Sequence, residues 1–189
     1  MTNGEGHTIY MLGIGGIGMS ALARYYRSLG YAIAGYDHTP SPLTQQLQNE
    51  GMAIHYEDNP KLLPALIEFV IYTPAVPHDL KEFEALRQRN VLIMKRAEAL
   101  GHISERHFTL AIAGTHGKTT TTAMTAHILN ACGKNTTAFI GGIANNFDSN
   151  LLLGQGTDSL LVVEADEFDR SFLKLHPDIS VINSIDADH

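Results

Sequence analysis

Twice in this chain an apolar run breaks into a glycine-rich turn that leads straight into helix-forming residues. The first is Leu12–Ala23, "LGIGGIGMSALA", and the second is Ala111–Ala123, "AIAGTHGKTTTTA". No other feature constrains the fold so tightly. A strand that must turn at glycines and re-enter as a helix belongs to a βαβ unit, and the amides at such a helix start form an anion cradle. Two such units about a hundred residues apart predict two α/β sheets within one chain of 189 residues, a length that suits one large or two small domains.

The rest of the pattern fits that reading. Strands are expected at His7–Leu12, at "YAIAGYD", at Phe69–Thr73 and at Val91–Met94, and helices over Ile17–Leu29, Leu43–Glu50, Leu80–Arg89 and Arg96–Ser104. Gly30 and Gly51 serve as helix stops, and "HTPSP" and "PAVP" as turns. Near Arg106 the pattern restarts. "FTLAIAG" is a strand, Lys118–Ala131 a helix, "TTAFIGG" and Leu160–Asp166 strands separated by a polar loop, and Ile179–Ile185 a last strand. Alternation of this kind implies parallel sheets. The domains are expected over 1–105 and 106–189.

The second turn is the sharper motif. Gly114-Thr115-His116-Gly117-Lys118-Thr119 follows a strand and opens a helix. In a phosphate loop, successive amides cradle phosphate oxygens, the lysine neutralises charge, and the next hydroxyl reaches magnesium. The match to G-x-x-x-x-G-K-[ST] fails at Ile112, where the first glycine belongs. The plainer alternative is an ordinary strand-to-helix turn with an exposed lysine. Glu164 ends an apolar strand, a position where α/β sheets bind ligands, and a carboxylate there suits Mg²⁺. Asp166, Glu167 and Asp169 read as surface charge. His189, with Asp188 beside it, is a candidate metal ligand, although a lone histidine is more often structural.

The first turn fits G-x-G-x-x-G through Gly13, Gly15 and Gly18, and Asp37 follows Gly18 by 19 residues, where a dinucleotide fold puts its ribose-binding acid. Alone, it suggests an NAD-binding domain. Its physics, however, accommodates any diphosphate.

Composition excludes some partners. A net charge of −7 argues against nucleic acid and anionic membrane surfaces. One cysteine, Cys132, precludes an internal disulfide framework, and no apolar run approaches a membrane span. The opening residues lack a secretory apolar segment, so a soluble, cytoplasmic protein is expected. The closing "SVINSIDADH" runs from a strand into an acidic tail and stops, an odd place for a domain to finish. The chain is therefore expected to be part of a longer one.

From His7 onward the stretches "HTIYMLGIGGIGMSALA", "IYTPAVP", "KRAEAL", "AGTHGKTTTTAM" and "VVEADEFDRSFLKLHPDISVINSIDADH" follow in an order that resembles the Mur ligases of peptidoglycan synthesis. The wording is most similar to members that join L-alanine to UDP-N-acetylmuramate. That resemblance implies an α/β chain with an N-terminal Rossmann-like parallel-sheet domain, followed by a truncated P-loop-type ATPase domain. It also implies a further C-terminal domain that this chain lacks. The family's shorter loop, G-T-x-G-K-[ST], removes the objection at Ile112.

The resemblance further implies ATP and Mg²⁺ as cofactors and an acyl phosphate on the way to an amide. Gly114, Thr115, His116, Gly117, Lys118, Thr119 and Thr120 would bind ATP, with Lys118 on the β- and γ-phosphates and His116 facing the muramoyl group. Thr119 and Glu164 would hold one magnesium, and Glu164 and His189 a second. Gly15, Gly16, Ile17, Gly18, Met19 and Ser20 would hold the UDP diphosphate, Asp37, Thr73, Pro74 and Ala75 would flank the uridine and sugar, and Arg96 would be an extra anchor. A monomer or weak homodimer is expected. The fragment alone is expected not to ligate. The alternatives are the sister ligase that adds murein tripeptide to the same sugar, an NAD(P)-dependent dehydrogenase, and a non-catalytic UDP-sugar sensor.

Overall fold

A computed structural model describes residues 7–156 and 158–186, with 168 and 169 described by backbone alone. The chain divides into two compact units, one ending at Arg96 and the other beginning at Ala97.

In the first unit, strands β1 (Thr8–Leu12), β2 (Ala32–Tyr36), β3 (Ala53–His55), β4 (Phe69–Tyr72) and β5 (Leu92–Lys95) form a sheet of order β3-β2-β1-β4-β5. All its pairings are parallel. β1 lies at the centre, and Ile9, Tyr10, Met11 and Leu12 have no exposed surface. That is why the run is continuously apolar: a central parallel strand is covered on both faces. One face packs Tyr10, Leu12 and Val70 against Phe83 and Leu86 of helix α3 (Lys81–Gln88).

Helix α1 (Ile17–Ser28) stops as expected, with Gly30 at φ +93° just beyond its C-cap Leu29. Helix α2 (Pro42–Asn49) starts one residue earlier than expected. Ser41 and Thr44 form a reciprocal capping box, and Pro42 takes the first helical position, where its missing N–H is no loss. The three-residue β3 has no counterpart in the sequence reading, because Ala53–His55 is too short to show a periodicity.

The second unit contains helix α4 (Arg96–Ser104), of which residues from Ala97 onward belong to it, then β6 (Thr109–Ala113), helix α5 (Lys118–Ala131), β7 (Thr136–Ala144), β8 (Ser149–Leu152), β9 (Leu160–Glu164), a 3₁₀ segment (Phe168–Lys174) and β10 (Ile179–Ile182). The sheet order is β10-β6-β9-β7-β8. It is parallel except for the β7–β8 hairpin. The polar loop expected between β7 and β9 therefore contains a strand, β8. Its Asn150 and Leu151 are buried, but a four-residue strand with Ser and Asn at its start carries no apolar signature. The strand expected over Ile179–Ile185 ends at Ile182, and the next residues turn toward the second glycine loop. The apolar core centres on Ile112, Ala126, Ala138, Ile140 and Val162. Among the described residues no helix is long and apolar enough to cross a membrane.

Candidate functional site

The loop between β6 and α5 begins where β6 leaves the sheet. Gly114 has φ +130° and Gly117 φ +78°, values that side chains rarely adopt. A Cβ on Gly114 would lie 2.9 Å from the amide nitrogen of Ser184, so the loop needs glycine for conformation and for room. The residues after β10 hold it from the other side. Thr115 N donates to Ser184 O (3.1 Å), His116 N to Ser184 Oγ (3.1 Å), Asp186 N to Thr115 Oγ1 (3.0 Å), and Asn183 Nδ2 to Thr121 Oγ1 (2.9 Å). His116 Nε2 stands 3.9 Å from an Asp186 carboxylate oxygen.

Lys118, the first residue of α5, turns its ammonium back into the loop. Nζ donates to Gly114 O (2.6 Å) and lies 2.8 and 3.0 Å from the two carboxylate oxygens of Glu167, with Thr115 O at 3.4 Å. Its side chain is 14% exposed. Glu167 was expected to be surface charge. The chain instead turns after β9 and brings it onto the lysine, a reversal that spacing alone does not reveal.

Glu164 is the last residue of β9 and pairs in register with Ile112 on β6, so its side chain stands beside the loop. One carboxylate oxygen accepts from Gly141 N (2.5 Å) and the other from Thr119 Oγ1 (3.2 Å). Burial pushes its pKa above the ordinary carboxylate value, and the Gly141 and Thr119 hydrogen bonds oppose that shift. Thr120 and Thr119 border a neighbouring hollow of about 380 Å³ between α5 and β7. His189 and Asp188 lie outside the described residues. Among the described residues no three His, Cys, Asp or Glu side chains gather as a metal would need.

The first unit has its own cleft, of about 840 Å³. Gly15, Gly16, Asp37, Thr73 and Ala75 line it, together with Tyr36 and His38, which the sequence reading did not single out. Asp37 faces the loop itself. Its Oδ2 accepts from Gly15 N (2.7 Å) and its Oδ1 from Thr39 N (3.2 Å). Gly16 is the N-cap of α1 and no side chain caps that helix. Met19 and Ser20 are buried; Ser20 Oγ donates to Ile17 O (2.8 Å) and Ser20 N to Gly16 O (2.8 Å), so Ser20 caps the first turn internally and a ligand would meet the amides before it. Ile17, Gly18 and Pro74 are not among the residues lining the cleft. Arg96 lies over the start of α1: a Cβ on Gly18 would meet its guanidinium at 2.5 Å.

Beneath this cleft is a buried polar cluster that the sequence did not suggest. Tyr10 Oη donates to Glu82 (2.5 Å) and also meets His55 Nε2 (2.8 Å), while Asn59 N donates to the other Glu82 oxygen (3.0 Å). Burial raises the pKa values of both Glu82 and Tyr10.

Two α/β units, each turning a strand through a glycine loop into a helix, define a protein of the phosphate-loop and Rossmann-like class. Residues 8–108 match the family described as Mur ligase family, catalytic domain, and residues 112–189 match the Mur ligase middle domain. The first match alone spans more than half of the chain, and the chain belongs to the Mur ligase family. It is 51% identical over 186 residues to the UDP-N-acetylmuramate–L-alanine ligase of Christiangramia forsetii, covering 95% of this chain and 41% of that protein. Its fold superposes on the UDP-N-acetylmuramate-alanine ligase of Thermotoga maritima with a TM-score of 0.83 at 34% identity, over 96% of this chain and 42% of that one. It superposes on the UDP-N-acetylmuramate:L-alanyl-gamma-D-glutamyl-meso-diaminopimelate ligase from Neisseria with a TM-score of 0.88 at 26% identity, over 97% and 62%. The chain thus spans about two fifths of the length of its curated relatives.

Proposed function

We propose that this chain is the UDP-sugar-binding unit and part of the ATP-binding unit of an ATP-dependent ligase that joins L-alanine to UDP-N-acetylmuramate. The observation that carries this reading is the convergence of Lys118, Thr119 and Glu164 at one glycine loop, with a separate glycine cleft in the other unit. The domain division at 105/106 is retained as a proposal because the strand–loop–helix pattern restarts there, although by contacts α4 from Ala97 onward groups with the second unit.

In this reading the substrate carboxylate attacks the γ-phosphate, ADP leaves an acyl phosphate, and the alanine amine displaces phosphate from the acyl carbon. Two anions must meet, so charge neutralisation is the main task. Lys118 supplies a cation held at fixed geometry against the loop. The amides of Gly114 to Thr120 orient the phosphates, and His116 faces the acyl side. Thr119 and Glu164 fit a magnesium ion. They are hard oxygen donors 3.2 Å apart, and the half-buried carboxylate feels the Lys118 charge but makes its hydrogen bonds to Thr119 and Gly141. Magnesium, when bound, would draw charge from the phosphate oxygens. His189 is proposed as ligand to a second ion.

In the first unit, the start of α1 binds the UDP diphosphate through Gly15 to Ser20, with Arg96 as an added cation. Because Asp37 already accepts from Gly15 N, its role is to fix that turn, and Thr73 to Ala75 wall the cleft for the uridine and sugar. A cytoplasmic location follows from these substrates. Membership of a ligase family speaks against the dehydrogenase alternative. The murein-peptide ligase is a second reading, favoured by the TM-score of 0.88 against 0.83; among the solved structures the identity of 34% against 26% supports the alanine enzyme.

The test uses the longer protein that carries this chain. ADP release should require both UDP-N-acetylmuramate and L-alanine, and the tripeptide should not replace alanine. Turnover with the tripeptide but not alanine would transfer the assignment to the sister enzyme. Absence of ADP release with either would defeat it.

A further inference from the structure

We propose that Glu167 is a positioning residue: its carboxylate occupies the place of a nucleotide phosphate on Lys118 and is exchanged for phosphate when the loop is filled. This inference rests on the nucleotide reading of the loop given above.

An ammonium that is 14% exposed needs partners, and here the protein itself supplies them. Two are backbone carbonyls of the loop, Gly114 O and Thr115 O, which cannot leave without unfolding it. The third is the Glu167 carboxylate, at 2.8 and 3.0 Å. That side chain is 35% exposed, and it sits at the N-cap position of the 3₁₀ segment, beyond the end of β9. Although its Oε2 is buried against the lysine, it is the one of the three partners that is a side chain, which rotation can withdraw without moving the loop backbone. Glu164 is committed elsewhere, to Gly141 N and Thr119 Oγ1. Carboxylate and phosphate oxygens are both anionic acceptors, so they compete for the same N–H donors. Nucleotide binding is then an exchange at Lys118. The Glu167 contact keeps the lysine aimed inward, and affinity is lower than the bare cation would give. No bond is made or broken other than hydrogen bonds.

The experiment is calorimetric titration of the longer protein that carries this chain with ATP, inorganic pyrophosphate and AMP, in magnesium buffer, for wild type, Glu167→Gln, Glu167→Asp, Lys118→Ala and the Lys118→Ala/Glu167→Gln double variant. Thermal melts confirm that each variant is folded. A partly exposed ion pair predicts that Glu167→Gln binds ATP and pyrophosphate about fivefold more tightly. AMP affinity should be unchanged, because it places no β- or γ-phosphate on Lys118. Glu167→Asp keeps the charge but shortens the reach, so it should tighten ATP as well; wild-type affinity for this variant would mean that only the general field of the carboxylate matters and would overturn the exchange. In the Lys118→Ala background, Glu167→Gln should have no effect, which isolates the pair. Unchanged or weaker ATP binding by Glu167→Gln, with Lys118→Ala impaired, sinks the exchange alone. Wild-type ATP binding by Lys118→Ala sinks the nucleotide reading and the exchange with it.

Discussion

Gly141 is the residue whose replacement most directly tests the metal site. It lies on β7, and its amide donates to Glu164 at 2.5 Å. A Cβ added there would lie 2.6 and 2.8 Å from the two Glu164 carboxylate oxygens, where ordinary contact begins near 3.4 Å. In Gly141→Ala the carboxylate must therefore retreat by about 0.8 Å, the difference between 3.4 and 2.6 Å. That retreat stretches its hydrogen bond to the amide from 2.5 Å to about 3.3 Å and turns the carboxylate. A full hydrogen bond to a charged group is worth about 2 kcal/mol, which bounds the effect from above. The fold should tolerate this, since the displaced group is the end of a side chain at the rim of the sheet. The carboxylate should not, because an ion shared with phosphates depends on its direction. The expected result is a loss of up to roughly thirtyfold in the magnesium-dependent part of ATP affinity, with the melting temperature nearly unchanged. The assay is calorimetry with ATP in magnesium and again in EDTA. An equal loss in both buffers, or none in magnesium, would refute the view that Gly141 aims Glu164 at a metal.

Three further outcomes follow from other parts of the molecule. In the longer protein, Lys118→Ala should abolish ADP release while UDP-N-acetylmuramate affinity stays within about twofold, because the two phosphate sites lie in different units; calorimetry with the sugar nucleotide checks this. Glu82 has a folded pKa raised by burial from 4.5, so its contribution to stability is complete below that value and is lost as pH rises through the folded pKa. Glu82→Gln should remove this decline, and melts of both proteins between acid and neutral pH will reveal it as a flatter profile; parallel profiles would mean that Glu82 does not set it. A Cβ on Gly35 would lie 2.5 Å from Met11 O on the neighbouring strand, with the Ile14 side chain at 3.1 Å. Neither can yield cheaply, so Gly35→Ala should cost about 2 kcal/mol and lower the melting temperature of the first unit by roughly 10 °C.

What the sequence revealed was governed by length and by burial. β1, β4 and β9 announced themselves because a parallel strand covered on both faces must be apolar throughout. Helix α5 spans Lys118–Ala131 as read, since a glycine turn marks its start and Gly133, at φ +73°, follows its end. β3 and β8, of three and four residues, owe their structure to neighbouring strands and carry no pattern of their own. The loop residues were legible as a motif, but their mutual geometry was not. Asp37 was expected to reach toward a ligand; it lines the cleft, and that it also accepts from Gly15 N could not be read from spacing. Glu167 was taken as solvent-facing because charge at three-residue spacing after a strand says nothing about a chain reversal. The Tyr10–Glu82–His55 cluster joins residues far apart in sequence on β1, α3 and β3, and each alone looks like an ordinary core or surface residue.

The bonds from Ser184 and Asp186 to Thr115 and His116 also set a timetable. Gly114 and Asp186 are 72 residues apart, and β10, which carries those partners to the loop, pairs directly with β6. On a ribosome adding about 5–20 residues per second, the loop is exported on the order of 4–14 s before the segment that braces it. During that interval the glycines at 114 and 117 have only their own sequence to hold them. The phosphate cradle of the second unit is thus finished from the C-terminal side, whereas that of the first unit, whose brace Asp37 lies 22 residues beyond Gly15, is complete almost as soon as it is made.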